Sequence, residues 1–381
     1  MNDFMYYNPT KIDFGKGKEN SVSEHLKAYG IKKVLLVYGT GSIKKSGLYD
    51  KVVGSLNSNN ISYVELDNIV SNPLLGRVND GIDLCKENAV EAVLAVGGGS
   101  VVDSAKAIAL GAKYTGDVWD FFINKEQIKE ALPVFTVMTL AAAASEMNGN
   151  SVITNEVTKQ KYSVSSPILN PKVSIVNPEL MKSVSRDYLA YSAVDIIAHS
   201  IEVYFTATVH PNFNSSVVES IIKSVIQTTE VLLDNPDDYD ARAEFAWIAI
   251  QALNGLCPAG TAGGNFPNHM IEHSLSALYN VPHGAGLSVV IPAWMKWYEN
   301  QNPKQFKRFA KEIFNEDDST KGIEKLEEWF RKIGSPTTLE SANIPRDGIP
   351  ELAKNANRLA SMWGIGEIYS VDTIVDILEK A

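Results

Sequence analysis

Cysteine is nearly absent: only Cys85 and Cys257 occur in 381 residues. That scarcity excludes a Cys-rich zinc module, an iron–sulfur cluster and a disulfide-stapled scaffold, and it suits a reducing cytoplasm. Positive charge is also in deficit. Lys and Arg number 35 against 45 Asp and Glu, a formal charge of −10. Basic residues fall only in short pairs such as Lys32-Lys33 and Lys44-Lys45, so the basic face that nucleic acid binding needs is missing. Long hydrophobic runs are lacking too. The longest apolar stretch, Ala131 to Ala144, is interrupted by Pro133, Thr136 and Thr139 and is too short to span a bilayer. The first residues, Met1 to Pro9, have neither the basic start nor the apolar core of a signal peptide, so a cytoplasmic location is expected. Histidine is sparse as well. Any metal site must draw on His25, His199, His210, His269, His273 and His283, plus carboxylates.

What remains is an ordinary globular composition, 45% apolar and 21% charged, in a chain long enough for about two to three domains. Up to about residue 180, short β-rich runs alternate with helical spacing. Strands are expected at 33–38, 61–66, 92–96 and 133–138, and helices at 78–88 and 101–111. Such alternation predicts an α/β domain with a mainly parallel, Rossmann-like sheet over 1–180. Beyond it the apolar residues recur at helical spacing over 186–205, 215–233, 242–256 and 268–279. Further helices are expected at 303–314, 320–333 and 371–380, with Asp187 capping the first of the series and Pro303 opening another. No strand is expected there, so 181–381 reads as an all-α domain. A ligand cleft between two such domains is the natural site.

Two glycine loops follow predicted strands. Gly97-Gly98-Gly99-Ser100 sits between a strand and a helix, where backbone amides can meet a diphosphate and Ser100 can cap the helix or bond a phosphate oxygen. Gly39-Thr40-Gly41-Ser42 follows the first predicted strand. It carries no carboxylate to engage a ribose 2′-hydroxyl, but has two hydroxyls with Lys44 and Lys45 just beyond, which suits a 2′-phosphate and equally suits a polar loop with solvated lysines. Neither loop spells the full G-x-G-x-x-G pattern.

Asp195 and His199 stand four apart in a helical stretch and share one face. His269 and His273 do the same on another predicted helix, and His283 follows in a Val281-Pro-His-Gly284 turn. A lone Asp-x-x-x-His is ordinarily a helix-surface pair. All of these together favour an oxygen-plus-imidazole site for a divalent ion such as Fe(II) or Zn(II). His25 and His210 lack partners at useful spacing and are expected at the surface. The two cysteines are expected to be small buried side chains.

An ordered set of motifs now accumulates: Asn8-Pro-Thr-Lys-Ile-Asp-Phe-Gly15, Gly39-Thr-Gly-Ser-Ile-Lys-Lys45, Asn72-Pro73, Gly97-Gly-Gly-Ser-Val-Val-Asp-Ser-Ala-Lys106, Ser145-Glu-Met-Asn148, Asp195-Ile-Ile-Ala-His199 and His269-Met-Ile-Glu-His273 through Pro282-His-Gly284. Over essentially its whole length the chain resembles the iron-containing (group III) alcohol dehydrogenases, and within them the NADPH-dependent butanol dehydrogenase branch with its aldehyde-reducing relatives. The resemblance implies a divalent metal, iron or zinc, held by Asp195, His199, His269 and His283, with His273 near the nicotinamide. It implies a diphosphate loop at Gly97, Gly98, Gly99 and Ser100, with Asp103 and Lys106 in the same segment. Thr139 and Ser145 match positions beside the pyrophosphate and nicotinamide ribose, and Asn72 and Lys161 match positions near the adenosine ribose in the relatives that use a phosphorylated cofactor. Homodimerisation through the N-terminal strand is also implied.

Two departures stand out. Leu140-Ala-Ala-Ala-Ala-Ser-Glu146 replaces a run that commonly holds a glycine before the serine, and Ala193 stands where a glycine often precedes the metal aspartate. The resulting expectation is reversible hydride transfer between NADP(H), favoured over NAD(H), and a short-chain primary alcohol or aldehyde such as butanol or butyraldehyde. The alternatives are a polyol dehydrogenase on the same architecture, a metallohydrolase without a dinucleotide, and a silent binding protein with a structural metal.

Overall fold

A computed structural model describes residues 1–381. The chain divides into two compact units. One comprises Tyr7–Val184 with Arg242–Ile250, the other Met1–Tyr6, Ser185–Ala241 and Gln251–Ala381.

The first unit is built on a six-stranded sheet. Its strands are β1 (Lys11–Phe14), β2 (Lys33–Gly39), β3 (Ser62–Ile69), β4 (Ala92–Gly97), β5 (Val134–Met138) and β8 (Val173–Val176), in the order β1-β8-β5-β4-β2-β3. Every neighbouring pair is parallel. A separate antiparallel hairpin joins β6 (Asn150–Asn155) to β7 (Gln160–Ser165). The helices are α1 (Val22–Ala28), α2 (Ser42–Lys45), α3 (Leu48–Ser58), α4 (Leu75–Glu87), α5 (Gly99–Gly111) and α6 (Trp119–Phe122).

β2 buries five consecutive residues, Val34 to Tyr38, as a strand covered on both faces must. Val34, Leu36 and Tyr38 share one cluster with Val22 and Leu26 of α1 and Val52 and Leu56 of α3. The alternate residues Leu35 and Val37 point the other way, toward the α4 and α5 side. Residues 242–250 complete this unit. Arg242 Nη1 donates to the Met181 carbonyl at 3.0 Å, and Trp247 meets Phe14 edge-on with ring centroids 6.1 Å apart.

The second unit is helical: α7 (Arg186–Thr206), α8 (Asn212–Asp234), α10 (Pro267–Tyr279), α11 (His283–Tyr298), α12 (Pro303–Phe314), α13 (Ser319–Lys332), α14 (Ile349–Met362) and α15 (Val371–Leu378), while α9 (Tyr239–Ala252) lies mostly among the residues grouped with the sheet. α7 is buried nearly all round, packed by α8, α10, α11 and α12. No helix is long and apolar enough to cross a membrane.

The fold is therefore the expected parallel α/β, Rossmann-like region followed by a helical one. The four expected strands are β2 to β5, and no strand follows residue 180. Four strands were not expected from local pattern: β6, β7 and β8, and β1, an N-terminal strand that only the resemblance implied. Ser185, not Asp187, caps α7, accepting from Tyr188 N at 3.3 Å, and Asp187 sits in the first turn. His283 is not in a turn but opens α11, directly after Pro282.

Candidate metal centre and dinucleotide loops

In the sheet unit, the chain runs from β2 outward to β3 and then back to β4 on the other side of β2. The carboxyl ends of β2 and β4 thus flank the point where strand order reverses, the place where open α/β sheets bind ligands. Both glycine loops leave from these ends. Gly39 closes β2, Gly41 turns the chain at φ 116°, and Ser42 starts α2. Gly97 closes β4, and Gly98 caps α5 without help from any side chain, so Ser100 is not the cap. The triple glycine is explained by crowding rather than by left-handed backbone. A Cβ on Gly97 would lie 2.5 Å from Val101 Cγ2, and one on Gly98 would lie 3.0 Å from Leu140 Cβ. The α5 start keeps its amides uncapped, a favourable seat for an anion.

The loop after β5 joins the same end of the sheet, with Thr139 N donating to the Gly97 carbonyl at 3.0 Å. Beneath it lies Lys106, fully buried on α5. Its Nζ donates to Ser145 Oγ at 2.9 Å, Asn148 O at 2.9 Å and Asn150 O at 2.8 Å. Asp103 accepts from Ser145 Oγ at 2.5 Å and from Val152 N at 3.1 Å. Burial lowers Lys106 to about 8 against the charges of Asp103 and Glu146, and burial raises Glu146 to about 7. In the alanine run that replaces the usual glycine, Ala144 adopts φ 49° and ψ 24°. The left-handed geometry a glycine favours is kept without the glycine, and the network around Ser145 holds it. Lys161 Nζ donates to Asn72 Oδ1 at 3.0 Å, so these two sequence-distant candidates meet. Lys44 lies over the rings of Tyr38 and Tyr49, at 5.0 and 4.9 Å, and both phenols donate to Glu65 at 2.6 Å.

The helical unit gathers the other set. Asp195 and His199 face the same way from α7, His269 and His273 come from α10, and His283 comes from α11. Asp195 Oδ1 lies 3.6 Å from His199 Nε2, 3.7 Å from His269 Nε2 and 3.6 Å from His283 Nε2. His199 and His269 stack, with centroids 4.6 Å apart. His273 is set beside the group rather than in it, its ring centroid 5.9 Å from that of His283. Burial works to raise the Asp195 carboxyl, but His199, His269 and His283 hold it well below the usual carboxylate range. Burial pushes His199 down to about 3. At His269 burial is outweighed by Asp195 and Glu202, which lift it to about 9.

The comparisons with known proteins decide the family. Residues 9–178 match the family described as iron-containing alcohol dehydrogenase, and residues 189–381 match the C-terminal region of the Fe-containing alcohol dehydrogenase family. The chain belongs to the iron-containing alcohol dehydrogenases. Among relatives, the probable NADH-dependent butanol dehydrogenase 1 of Bacillus subtilis is 41% identical over 93% of this chain and 94% of its own length. The NADPH-dependent aldehyde reductase YqhD of Escherichia coli is 32% identical over 97% of each. The crystal structure of NADH-dependent butanol dehydrogenase A from Thermotoga maritima has a TM-score of 0.98 at 47% identity, covering 100% of this chain and 99% of that one.

As an iron-containing alcohol dehydrogenase, the protein is an enzyme of alcohols and aldehydes that uses a nicotinamide cofactor and a divalent metal. The residues present fit such a metal. Donor atoms about 2.0–2.2 Å from a tetrahedral ion stand roughly 3.4 Å apart, close to the 3.6 to 3.7 Å spans around Asp195 Oδ1. Asp195 Oδ1 and His269 Nε2 are buried without a hydrogen-bond partner, which is costly unless a cation engages them. Reasoning from sequence overlooked two glutamates behind this set, Glu202 and Glu272. Glu202 follows Asp195 by seven and His199 by three, so it lies on the same helix face. That spacing was the available signal. His25 and His210 are not simply surface residues: each is half-buried, His25 against Asp13 at 2.8 Å and His210 against Asn302 at 3.1 Å. Cys85 and Cys257 are buried as expected, and burial pushes both thiols up to about 12.

Proposed function

We propose that this enzyme interconverts a short-chain primary aldehyde, such as butyraldehyde, and its alcohol with NADP(H), around a divalent ion held by Asp195, His199, His269 and His283. The observation that carries the reading is the convergence of three imidazole Nε2 atoms on one buried, otherwise unpartnered carboxylate oxygen. When bound, such an ion supplies Lewis acidity to the substrate oxygen. In this reading the 181–381 region provides metal and substrate contacts, and the 1–180 region holds the nucleotide.

The uncapped amides at the start of α5, with Gly97, Gly98, Gly99 and Ser100, take the diphosphate. Thr139 and Ser145 lie on the adjoining loop for the nicotinamide ribose, with Asp103 and Lys106 fixing Ser145 from below. The loop of Gly39, Thr40, Gly41 and Ser42, together with the Asn72–Lys161 pair, takes the adenosine ribose. NADP(H) is favoured because Gly39 offers no carboxylate where β2 ends. NADH is the competing reading, because the Bacillus subtilis and Thermotoga maritima relatives carry NADH in their names, whereas the Escherichia coli one carries NADPH. His273 would hold or move a proton beside the substrate, a role supported by its position one turn beyond His269 and by its ring 5.9 Å from that of His283. Phe266, 5.6 Å from the His269 ring, and Trp363, 6.3 Å from the His273 ring, give this region aromatic flanks that suit an alkyl chain better than a polyol.

The test is aldehyde reduction by protein loaded with Fe(II) or Zn(II), followed with NADPH and with NADH, beside Asp195→Ala. The expected result is butyraldehyde turnover, a higher kcat/KM with NADPH, and loss of turnover in the variant. No reduction of any short aldehyde by loaded protein would reject the substrate reading. Equal kcat/KM with the two nucleotides would reject the cofactor preference.

A further inference from the structure

Two fully buried carboxylates stand behind the imidazoles and have no part in the reaction described above. Glu202, on α7, accepts three hydrogen bonds from the start of α10: from Asn268 Nδ2 at 3.0 Å, from the His269 backbone N–H at 3.0 Å and from His269 Nδ1 at 2.8 Å. α10 has Phe266 at its N-cap position and no cap within its own segment, so Glu202 serves as one from a distant helix. Glu272, on α10, is bound by Ser276 Oγ and by His283 Nδ1 at the start of α11. Ser276 Oγ also donates to the Val281 carbonyl at 3.0 Å, two residues before His283. Gly286 makes the room: a Cβ there would lie 2.8 Å from both Glu272 Cγ and Oε1.

We propose that Glu202 and Glu272 are positioning residues of the metal centre. An ionised carboxylate can only accept, so each Nδ1 facing one must carry the proton. With an ion in place, that fixes the tautomer of His269 and of His283 and leaves both Nε2 lone pairs for the ion beside Asp195 Oδ1. The two negative charges also strengthen the imidazoles as donors. His199 lacks this support: its Nδ1 is buried without a partner, and it depends on stacking against His269. The centre is therefore asymmetric, with two imidazoles braced by carboxylates and one held by packing. A carboxylate buried in a helical core costs several kcal/mol unless it is well paired, which is hard to reconcile with a filler role for either glutamate.

This inference rests on the ligand assignment proposed above. Metal-free protein is titrated with Zn(II) in competition with a chelator, and with Co(II) while its visible absorption is recorded, for wild type, Glu272→Ala, Glu272→Gln and Asp195→Ala. Glu272→Ala is expected to hold Zn(II) about ten- to hundredfold more weakly and to alter the Co(II) absorption. Glu272→Gln should recover part of the affinity, since its amide oxygen still accepts from His283 Nδ1. If Glu272→Ala does not fold, Glu272→Gln alone decides, because any loss of affinity in that variant isolates the charge. Wild-type Zn(II) affinity and an unchanged Co(II) spectrum in a folded Glu272 variant would overturn the proposal while leaving the ligand assignment intact. If Asp195→Ala takes up Zn(II) as wild type does, the ligand assignment falls and this inference falls with it.

Discussion

Glu146 illustrates how a single buried group can set a pH dependence. It lies in the segment that follows β5 with one carboxylate oxygen lacking a partner, and burial raises it from 4.5 to about 7. Between those two values the folded chain binds a proton that the unfolded chain has lost. Stability therefore falls as pH rises from 4.5 to 7, and the loss persists above 7. Glu146→Gln is expected to be more stable than wild type by about 1–3 kcal/mol at pH 8 and nearly equal to it at pH 4.5. Urea unfolding at both pH values measures this, and an equal difference at the two would refute it. Gly39 poses a question of specificity. A Cβ there meets only the Ile69 carbonyl oxygen, at 3.4 Å, so Gly39→Asp is accommodated. A carboxylate beside a 2′-phosphate costs about 1–4 kcal/mol, so the ratio of kcat/KM for NADH over NADPH should rise about tenfold or more. An unchanged ratio removes this loop from the discrimination. At this scale the sequence disclosed the Asp195, His199, His269 and His283 set through helical spacing and one ordered motif string. Glu202 and Glu272 stayed hidden because a glutamate on a helix is ordinarily solvated. Both are buried by helix packing, and Glu272 also by the room that Gly286 leaves, which spacing alone does not reveal.

Among elements, α11 shows the largest gap between pattern and structure. Its sequence opens Pro282-His-Gly-Ala-Gly and carries Pro292 in its interior, features that argue against a helix. It forms because every residue from Gly284 to Met295 is buried, so packing overrides propensity. Gly284 is part of that packing: a Cβ on it would lie 2.1 Å from the Tyr191 carbonyl oxygen on α7. The obstruction is backbone, so no rotamer change relieves it. Gly284→Ala should cost about 1–3 kcal/mol. Gly54→Ala in α3, where nothing lies within 4 Å, should instead gain about 0.5–1 kcal/mol. Chemical denaturation of the two variants gives opposite signs if the argument holds. The overlooked strands have a similar explanation. β1 and β8 are four residues long, and the β6–β7 hairpin is written mostly in Asn, Ser, Thr, Gln and Lys. Such strands are specified by their partners, unlike β2 and β4, whose apolar runs declare themselves.

For the molecule as a whole, the sequence disclosed an α/β region followed by a helical one, but not the path of the chain. Assignment to the two units changes after Tyr6, after Val184, after Ala241 and after Ile250. That path depends on contacts between residues far apart in sequence, such as Arg242 with Met181 and Trp247 with Phe14, which no local pattern encodes. It bears on how the protein is made. The sheet unit cannot be finished when Val184 leaves the ribosome, because its last segment ends at Ile250. At about 5–20 residues per second the nascent chain waits roughly 3 to 13 s for that segment, with the Met181 carbonyl still lacking its guanidinium donor. For the same reason a gene cut at the boundary between 184 and 185 yields no self-sufficient half: one product lacks residues 242–250, and the other lacks residues 1–6 and carries 242–250 without their sheet.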